Sequence, residues 1–351
     1  MRPTVVLMHP GALGDVLLAV ASIRRIRSEF PQHEILLCAG RPGAELLLDC
    51  GEIDGWLPVG STSCAELFSR AGIVSARLKD WLSRCDLAVA WIRDEGEVVS
   101  QNLRRCGAAE VRVESPASTR LQACHQSDRF LEIAGFPASD KPAVPVLSLS
   151  NEMRARGSAL LRKQGLRTDQ PLAVIHHGSG SHHKCVTPDL LGAVVTALEN
   201  EGLRPWILEG PADGEIVNGL IPHVSSRIPV IRGLELGSVS VFLAHMRLFV
   251  GHDSGITHLA ALLGVPTIAL FGPTDPARWA PRGNHITVLQ AEPCRCRSRD
   301  QVMQCRDKPC LRLSVEAITT ACVKYIKETA NPRNPSQSAL SPPTSYVKVA
   351  S

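Results

Sequence analysis

The segment Gly251–Pro276 constrains the fold more than any other part of this sequence. It follows a short apolar run, Leu248–Val250, and opens with Asp253 and Ser254, two residue types that commonly cap the N-termini of helices. Apolar residues then recur at helical spacing, and Thr267–Phe271 has the composition of a buried strand. This strand–helix–strand unit predicts a parallel sheet, and the N–H groups at its helix start favour an anion.

Strand and helix patterns alternate along the rest of the chain, which indicates parallel sheets covered by helices. The Pro-rich stretch Phe136–Pro145 interrupts this pattern near the middle. We therefore predict an α/β protein with two Rossmann-like domains, residues 1–150 and 151–330, that face a cleft. One long helix is expected over Ala65–Arg84, and a disordered tail over residues 331–351, which are rich in Ser, Pro and Asn. The ten predicted strands are Val5–Met8, Glu34–Cys38, Leu87–Trp91, Val111–Val113, Leu172–Ile175, Pro205–Leu208, Pro229–Ile231, Leu248–Val250, Thr267–Phe271 and Thr287–Leu289.

Composition excludes several classes of protein. With 351 residues, 44% hydrophobic and 4% aromatic, the chain resembles a two-domain globular enzyme and not a disordered chain. A net charge of +4 is too weak to indicate nucleic acid as a partner, but it is compatible with an anionic substrate. No run of apolar residues approaches the length of about twenty that is needed to span a bilayer. The twelve scattered cysteines, with no export signal, indicate reduced thiols, so we expect a cytoplasmic protein without a transmembrane segment.

Residue by residue, Gly251–Pro276 resembles the signature of glycosyltransferase family 9, the bacterial ADP-heptose:lipopolysaccharide heptosyltransferases. The resemblance implies a GT-B fold, with the acceptor bound by the N-terminal domain and the nucleotide sugar by the C-terminal domain. It also implies two partners, ADP-heptose and an anionic glycolipid acceptor, and a protein that is cytoplasmic or peripheral at the inner membrane face. The matching residues are Gly251, Asp253, Ser254, Gly255, His258, Leu259, Ala260, Pro266, Leu270, Phe271 and Gly272–Pro276.

A glycine-bearing turn follows the first predicted strand, at the end where open α/β sheets bind ligands. Asp15 falls in the first turn of the next helix, where it either complements that helix or acts as a general base. The turn resembles the family motif G-x-[IL]-G-D, whose catalytic aspartate corresponds to Asp15, although a proline usual in the following helix is absent. The predicted acceptor-side loop consists of Gly11, Ala12, Leu13 and Gly14.

Small hydroxylated residues and a lysine follow the predicted strand Leu172–Ile175. Ser179 and Lys184 suit a diphosphate, because a hydroxyl can donate to it and an ammonium adds a point charge. The histidines of this loop lack the spacing of a tetrahedral metal site. The loop resembles the family's P-G-S and K-x-W-P pattern, with His177 in place of the first proline and Val186–Thr187 in place of Trp-Pro. With the later helix start, the predicted diphosphate residues are Ser179, Lys184, Asp253, Ser254, Gly255, Ile256, Thr257 and His258.

Two further loops are candidates for the nucleoside. Glu209 and Asp213 follow a predicted strand in a turn that resembles the family's G-G-P-x-[DE], and they either accept from ribose hydroxyls or belong to a solvated loop. Gly233 and Leu234 precede a helix at the position where related enzymes contact adenine.

A cysteine cluster is the remaining candidate metal site. Cys294, Cys296, Cys305 and Cys310 are spaced C-x-C-x8-C-x4-C, which is not a standard zinc ribbon or knuckle. Unligated thiols are the simpler interpretation, and we expect neither a metal nor a cofactor.

The predicted function is an inverting, metal-independent glycosyltransferase that moves a sugar, heptose by resemblance, from an ADP-sugar to a lipopolysaccharide core or related glycan. The sequence contains no Asp-x-Asp motif, so Lys184 and the helix start at Asp253–Thr257 are the expected partners of the diphosphate. Two alternatives stay open, a GT-B nucleotide-sugar epimerase and a non-catalytic nucleotide-binding protein. An NAD-linked oxidoreductase is disfavoured, because neither glycine-rich turn has the dinucleotide spacing.

Overall fold

The computed structural model describes residues 2–117, 124–137, 144–166, 171–330 and 345–348. The chain divides into two compact units, Met1–Pro145 and Val146–Ser351. Each unit contains one parallel β-sheet. None of the helices within the described ranges is long and apolar enough to cross a membrane.

The first unit alternates strands with helices. Its strands are β1 (Thr4–His9), β2 (Glu34–Ala39), β3 (Gly55–Pro58), β4 (Cys85–Ala90) and β5 (Glu110–Val113). Its helices are α1 (Leu13–Leu18), α2 (Val20–Glu29), α3 (Arg41–Asp49), α4 (Thr62–Ala65), α5 (Ala76–Ser83), α6 (Val98–Arg105) and α7 (Gln126–Ile133), with a 3-10 turn at Glu66–Phe68.

Strand β1 lies at the centre of this sheet, whose order is β3-β2-β1-β4-β5. All six residues of β1 are buried, as an apolar strand between two neighbours requires. The chain builds outward from β1 to β2 and β3, then returns to the other side of β1 to form β4 and β5. The loop after β1 therefore leaves the sheet where the direction of winding reverses, which is the usual ligand position in open α/β sheets.

The second unit is a larger sheet of the same kind. Its strands are β6 (Leu172–His176), β7 (Arg204–Leu208), β8 (Val230–Ile231), β9 (Leu248–His252), β10 (Thr267–Leu270), β11 (Ile286–Gln290) and β12 (Ser345–Lys348). Its helices are α8 (Asn151–Lys163), α9 (Pro188–Asn200), α10 (Gly214–Leu220), α11 (Leu236–Ala244), α12 (Gly255–Leu262), α13 (Pro276–Trp279), α14 (Arg299–Gln304) and α15 (Val315–Ala330). Short 3-10 turns lie at His182–Lys184, Ile221–His223 and Pro309–Leu311.

The winding of this sheet reverses between β6 and β9, because the strand order is β12-β11-β10-β9-β6-β7-β8. One face of β6, β7, β9 and β10 packs against α9, α10 and α15 in a continuous apolar cluster that includes Leu191, Val195 and Ile318. Burial of such side chains contributes about 1.5–3 kcal/mol each, so this core fixes the positions of the loops at the strand ends.

All ten predicted strands are present, with their ends shifted by a residue or two. Two strands were missed. Strand β3 is short and contains Gly55 and Pro58, which weaken a strand pattern. The prediction of a disordered tail is wrong over Ser345–Lys348, which form strand β12. This short segment contains Tyr and Val and pairs in parallel with the open edge of β11. Residues 331–344 and 349–351 of the predicted tail lie outside the described residues.

The prediction of one helix over Ala65–Arg84 is wrong. The segment consists of α4, a 3-10 turn, a loop and α5. Gly72 has a φ of +86°, which a helix cannot contain, and the carboxylate of Glu66 accepts from the N–H groups of Val74 and Ser75. The Ser75 hydroxyl then caps α5, so local polar contacts divide what apolar periodicity alone had joined.

Candidate functional site

Asp15 stands in the first turn of α1, directly after the loop that leaves β1. Its Oδ2 accepts from the N–H of Ala12 at 3.0 Å, which stabilises the helix start. The side chain is half-buried and not enclosed. Asp15 therefore makes a capping contact at the start of α1. Its role as a general base stays a prediction.

The turn before Asp15 is packed tightly enough to require glycine. A Cβ on Gly11 would lie 2.7 Å from Cε1 of His9 and 2.8 Å from Oδ2 of Asp15. His9 itself is buried against Trp91 and Phe130, and its Nδ1 accepts from the N–H of Gly11 at 3.2 Å. Burial lowers the pKa of His9 to about 4, so the ring is neutral and holds the turn through this hydrogen bond.

In the second unit, Lys184 and Asp253 form an ion pair at the switch point between β6 and β9. The Nζ of Lys184 lies 2.6 Å from Oδ2 of Asp253, whose side chain is largely buried. Ser179 donates to the backbone carbonyl of Asp253 at 2.7 Å. Ser179 and Lys184 thus contact Asp253, which is about seventy positions away in sequence. Local helix or hairpin patterns cannot predict contacts over such a separation.

The start of α12 has two open backbone donors. Ser254 is the N-cap residue, and its hydroxyl accepts from the N–H of Thr257 at 3.3 Å. The N–H of His258 is bonded to the carbonyl of Ser254. No hydrogen bond joins the N–H groups of Gly255 and Ile256 to another described residue, as expected for the first two positions of a helix. These two N–H groups suit an anion, and Lys184, paired with Asp253 just before the helix, is the predicted cation beside them.

His258 faces the same carboxylate from the side of α12. Its Nε2 lies 4.0 Å from Oδ1 of Asp253, too far for a direct hydrogen bond. Burial lowers the pKa of His258 to about 4, against the smaller opposing effect of Asp253. A neutral His258 orients this turn and adds no charge to it.

Two more histidines hold the end of the predicted diphosphate loop. His177 contacts the carbonyl of Val186 through Nε2 at 3.1 Å, and the N–H of Val186 donates to Nε2 of His252 at 3.1 Å. Burial lowers the pKa of both histidines. His177 stands where the resembling family has proline. The buried hydrogen bond of its side chain, instead of a proline ring, restrains the conformation of this loop.

Asp213 is enclosed at the bottom of the loop after β7. Its Oδ2 lies 3.1 Å from Nε2 of His176 and accepts from the N–H of Gly210 at 2.9 Å. A Cβ on Gly178 would lie 2.1 Å from this carboxylate, so only glycine leaves it room. Burial raises the pKa of Asp213, but the His176 and Gly210 contacts outweigh it and the net pKa is lowered. Its predicted contact with ribose stays a prediction.

The other predicted nucleoside residues lie on neighbouring loops. Glu209 follows β7 and pairs with Arg232 at 2.7 Å. Gly233 has a φ of +66°, which favours glycine, and with Leu234 it forms the loop between β8 and α11. These loops follow adjacent strands, and their contact with a nucleoside stays a prediction.

A cavity of about 520 Å³ lies behind the His182–Lys184 turn, beside the N-terminus of α9. Arg306, Lys308 and Arg312 contribute positive charge to its wall. None of the predicted diphosphate residues lines it. The predicted diphosphate site at the start of α12 is therefore not part of this cavity's wall.

The four clustered cysteines line one cavity of about 220 Å³. Burial and neighbouring thiols, that of Cys294 first, raise the pKa of Cys296 to about 11 and that of Cys310 to about 12, so both are neutral thiols. Among the residues that the structure describes, no group of three or more His, Cys, Asp or Glu side chains is arranged to hold a metal ion.

Sequence reasoning missed His9, His176 and His252 as parts of the sites. Each ends or follows closely on a buried strand, and each bonds a loop residue. A histidine at the last position of an apolar strand was the available signal, because that position faces the loops where ligands bind.

The model of glycosyltransferase family 9 (heptosyltransferase) matches residues 119–310. The chain belongs to this family. The match includes the diphosphate loop, the start of α12 and the cysteine cluster, and it begins after Asp15.

Individual comparisons agree with the family. Lipopolysaccharide heptosyltransferase 3 of Escherichia coli is 32% identical over 154 residues, which cover 42% of this chain and 43% of that protein. The alignment thus spans less than half of the curated relative. A family 9 glycosyltransferase structure from Veillonella parvula has a TM-score of 0.76 at 20% identity, over 93% of this chain and 98% of that one. The E. coli heptosyltransferase WaaC with ADP has a TM-score of 0.63 at 17% identity, over 92% and 99%.

At these identities the solved structures establish the fold alone. Together with the two parallel sheets, they confirm the predicted α/β class of the GT-B type.

Proposed function

We propose that this protein is an inverting glycosyltransferase that transfers heptose from ADP-heptose to a lipopolysaccharide-core or related glycan hydroxyl without a metal ion. The observation that carries the proposal is the arrangement at the switch point of the second sheet, where Lys184 pairs with Asp253 directly before the two open N–H groups of α12. The family match covers these residues, and the similar structure from E. coli is that of the heptosyltransferase WaaC with ADP.

In this mechanism the second unit holds the donor. Lys184 and the N-terminus of α12 stabilise the negative charge that grows on the diphosphate as the bond to the sugar breaks. Lys184 and the helix dipole take the part that a divalent cation plays at an Asp-x-Asp site, a motif absent from this sequence. Metal independence therefore belongs to the proposal.

The first unit supplies the base. Asp15 takes the proton of the acceptor hydroxyl, and the resulting nucleophile attacks the anomeric carbon from the face opposite the leaving ADP, which inverts its configuration. His9 and Gly11 hold the turn that presents Asp15. In this proposal the acceptor is an anionic glycolipid, and the protein is cytoplasmic or peripheral at the inner face of the membrane.

Thermal stabilisation by a panel of ADP-, GDP- and UDP-sugars tests the donor, since a ligand that binds the folded state raises the melting temperature by mass action. ADP-heptose should stabilise most, and product should form only with acceptor present. Conversion of the nucleotide sugar without acceptor would instead identify an epimerase. Stabilisation by ADP with no turnover on any acceptor would identify a non-catalytic binding protein.

A further inference from the structure

The excess of positive charge in this chain lies in one short segment. Residues 294–313, in the connection between β11 and α15, contain six of the 38 basic residues of the chain and two of its 34 acidic ones. The net charge of the segment therefore equals the +4 of the whole chain, and the rest of the sequence carries equal numbers of each sign. We call this segment the arginine lobe. Its basic residues are Arg295, Arg297, Arg299, Arg306, Lys308 and Arg312.

Most of these charges are exposed and unpaired. All five arginines of the lobe are exposed, and Lys308 is half-buried. Within the described ranges, Arg295 alone among the six basic residues forms an ion pair, with Glu292 at 3.4 Å. Five cations with no carboxylate partner in so short a segment repel one another, so an anionic surface is favoured beside them.

Three of the six cations also share a cavity. Arg306, Lys308 and Arg312 line the cavity of about 520 Å³ described above, a volume typical of ligand sites. The other lining residues include apolar side chains such as Leu190 and Ile216. Cations beside apolar surface suit an anionic amphiphile, with its phosphate on the cations and its apolar part against the carbon side chains.

The arginine lobe is anchored at the edge of the sheet where the proposed donor site lies. Leu311 and Leu313 belong to the apolar core of the second unit. A Cβ on Gly272 would lie 2.6 Å from Leu311, so the lobe packs directly on the turn after β10. The Nζ of Lys308 donates to the carbonyl of His182 at 3.4 Å, in the turn that carries Lys184. The exposed cations therefore have a folded base beside the loops of the donor site.

The composition of the lobe favours a lipid bilayer over a nucleic acid as the partner. Helix α14, which lies within the lobe, leaves the side chain of Met303 53% exposed. An apolar side chain among cations suits the interface of an anionic bilayer. The lobe contains no Phe, Trp or Tyr, the residue types on which unpaired bases stack.

We infer that the arginine lobe docks the second unit on a bilayer surface that contains anionic phospholipids, with Arg306, Lys308 and Arg312 on their phosphate headgroups. This inference rests on the proposed function, since a glycolipid acceptor lies in such a surface. Docking through the lobe places the edge of the sheet that carries the donor site next to that surface.

The test is co-sedimentation of the whole protein with vesicles. Vesicles of phosphatidylcholine alone are compared with vesicles that contain about one third phosphatidylglycerol. The wild type should bind the anionic vesicles and not the neutral ones, and binding should weaken as the salt concentration rises from about 0.05 M to about 0.3 M. Arg306→Gln/Arg312→Gln should bind about 30-fold more weakly, which corresponds to about 1 kcal/mol for each arginine.

A second double variant and a control keep the test specific. Arg297→Gln/Arg299→Gln should lose a similar amount, and it replaces the first variant if that one does not fold. Arg104→Gln/Arg105→Gln, at two exposed arginines in the last turn of α6, makes the same change in net charge and should bind as the wild type does. Equal vesicle binding by the wild type and a folded lobe variant would overturn the inference. An equal loss in the control, or preference of the wild type for a single-stranded oligonucleotide over anionic vesicles, would also overturn it.

The proposed function is tested separately with an acceptor core freed of its lipid. Transfer to this water-soluble acceptor needs no membrane and should be unchanged in both lobe variants. A wild type that transfers heptose to it but binds no vesicles would overturn the inference alone. A wild type that binds anionic vesicles but transfers no sugar to any acceptor would overturn the proposed function and leave the docking surface standing.

Discussion

Replacement of Lys184 by alanine removes the cation from the proposed diphosphate site and leaves an anion behind. The Nζ of Lys184 lies 2.6 Å from Oδ2 of Asp253, and Asp253 is 8% exposed. His258, on the other side of this carboxylate, is neutral because burial lowers its pKa to about 4. In Lys184→Ala the Asp253 charge is therefore uncompensated beside the two open N–H groups of α12.

We expect donor affinity and stability to fall together. A charge-assisted hydrogen bond contributes about 1.5–3 kcal/mol. Its loss corresponds to about a 10- to 150-fold increase in the dissociation constant for ADP, since about 1.4 kcal/mol equals a factor of ten. The free energy of unfolding should fall by about 1–3 kcal/mol, because a buried carboxylate loses its partner. Turnover should also slow, because the charge on the diphosphate grows as the sugar leaves.

Calorimetry with ADP and with adenosine separates these effects, since adenosine affinity should change little. In Lys184→Ala/Asp253→Asn the buried anion is gone, so stability should recover while ADP affinity remains weak. Lys163→Ala, at an exposed lysine of α8, is the matched control and should match the wild type in both measurements. Unchanged ADP affinity in Lys184→Ala would refute the assignment of Lys184 to the diphosphate.

Four further outcomes follow from the structure. Asp15→Asn should reduce transfer by about a hundred- to ten-thousand-fold with ADP-sugar affinity within a few fold, and retention of more than about a tenth of the rate would remove Asp15 from catalysis. Gly178→Ala should destabilise the protein by about 1–3 kcal/mol, because its Cβ would lie 2.1 Å from Asp213, whereas Gly180→Ala should not, since nothing lies within 4 Å of that Cβ. The free energy of unfolding should fall as pH drops from about 6.5 to about 4, by up to about 3 kcal/mol each for His9 and His258. Burial lowers the pKa of both histidines to about 4, so the unfolded chain binds these protons first as the pH falls. Urea titrations in which the free energy of unfolding does not change over this pH range would contradict the prediction. Transfer should survive exhaustive chelation, and activity lost in folded protein but restored by magnesium or manganese would contradict the metal-free mechanism.

The architecture was predictable where apolar patterning is continuous. Eight of the ten predicted strands are mostly buried segments whose composition identifies them, whereas β5 and β8 are short and only partly buried. Helices α9 and α15 follow their helical periods closely. The prediction failed where local polar chemistry overrides the pattern. Glu66 and Gly72 divide the expected long helix, and the short strand β3 with its glycine and proline has no periodicity to detect.

The candidate site was predictable residue by residue but not as an arrangement. Family resemblance selected Lys184, Asp213 and Ser254, and each lies between a strand of the second sheet and the helix that follows it. Which of them touch depends on the strand order, since β6, β7 and β9 become neighbours only after the winding reverses. His176 shows the consequence, because it contacts Asp213 and Ser254, which are 37 and 78 residues away in sequence.

Heptosyl transfer itself is the most direct test of the central claim. Purified protein is incubated with ADP-heptose and a heptose-deficient lipopolysaccharide core, and the acceptor is examined by mass spectrometry. We expect the acceptor to gain one heptosyl residue with release of an equal amount of ADP, and no such gain with Asp15→Asn. An unmodified acceptor in the presence of folded protein that binds ADP-heptose, across core and related glycan acceptors, would contradict the account.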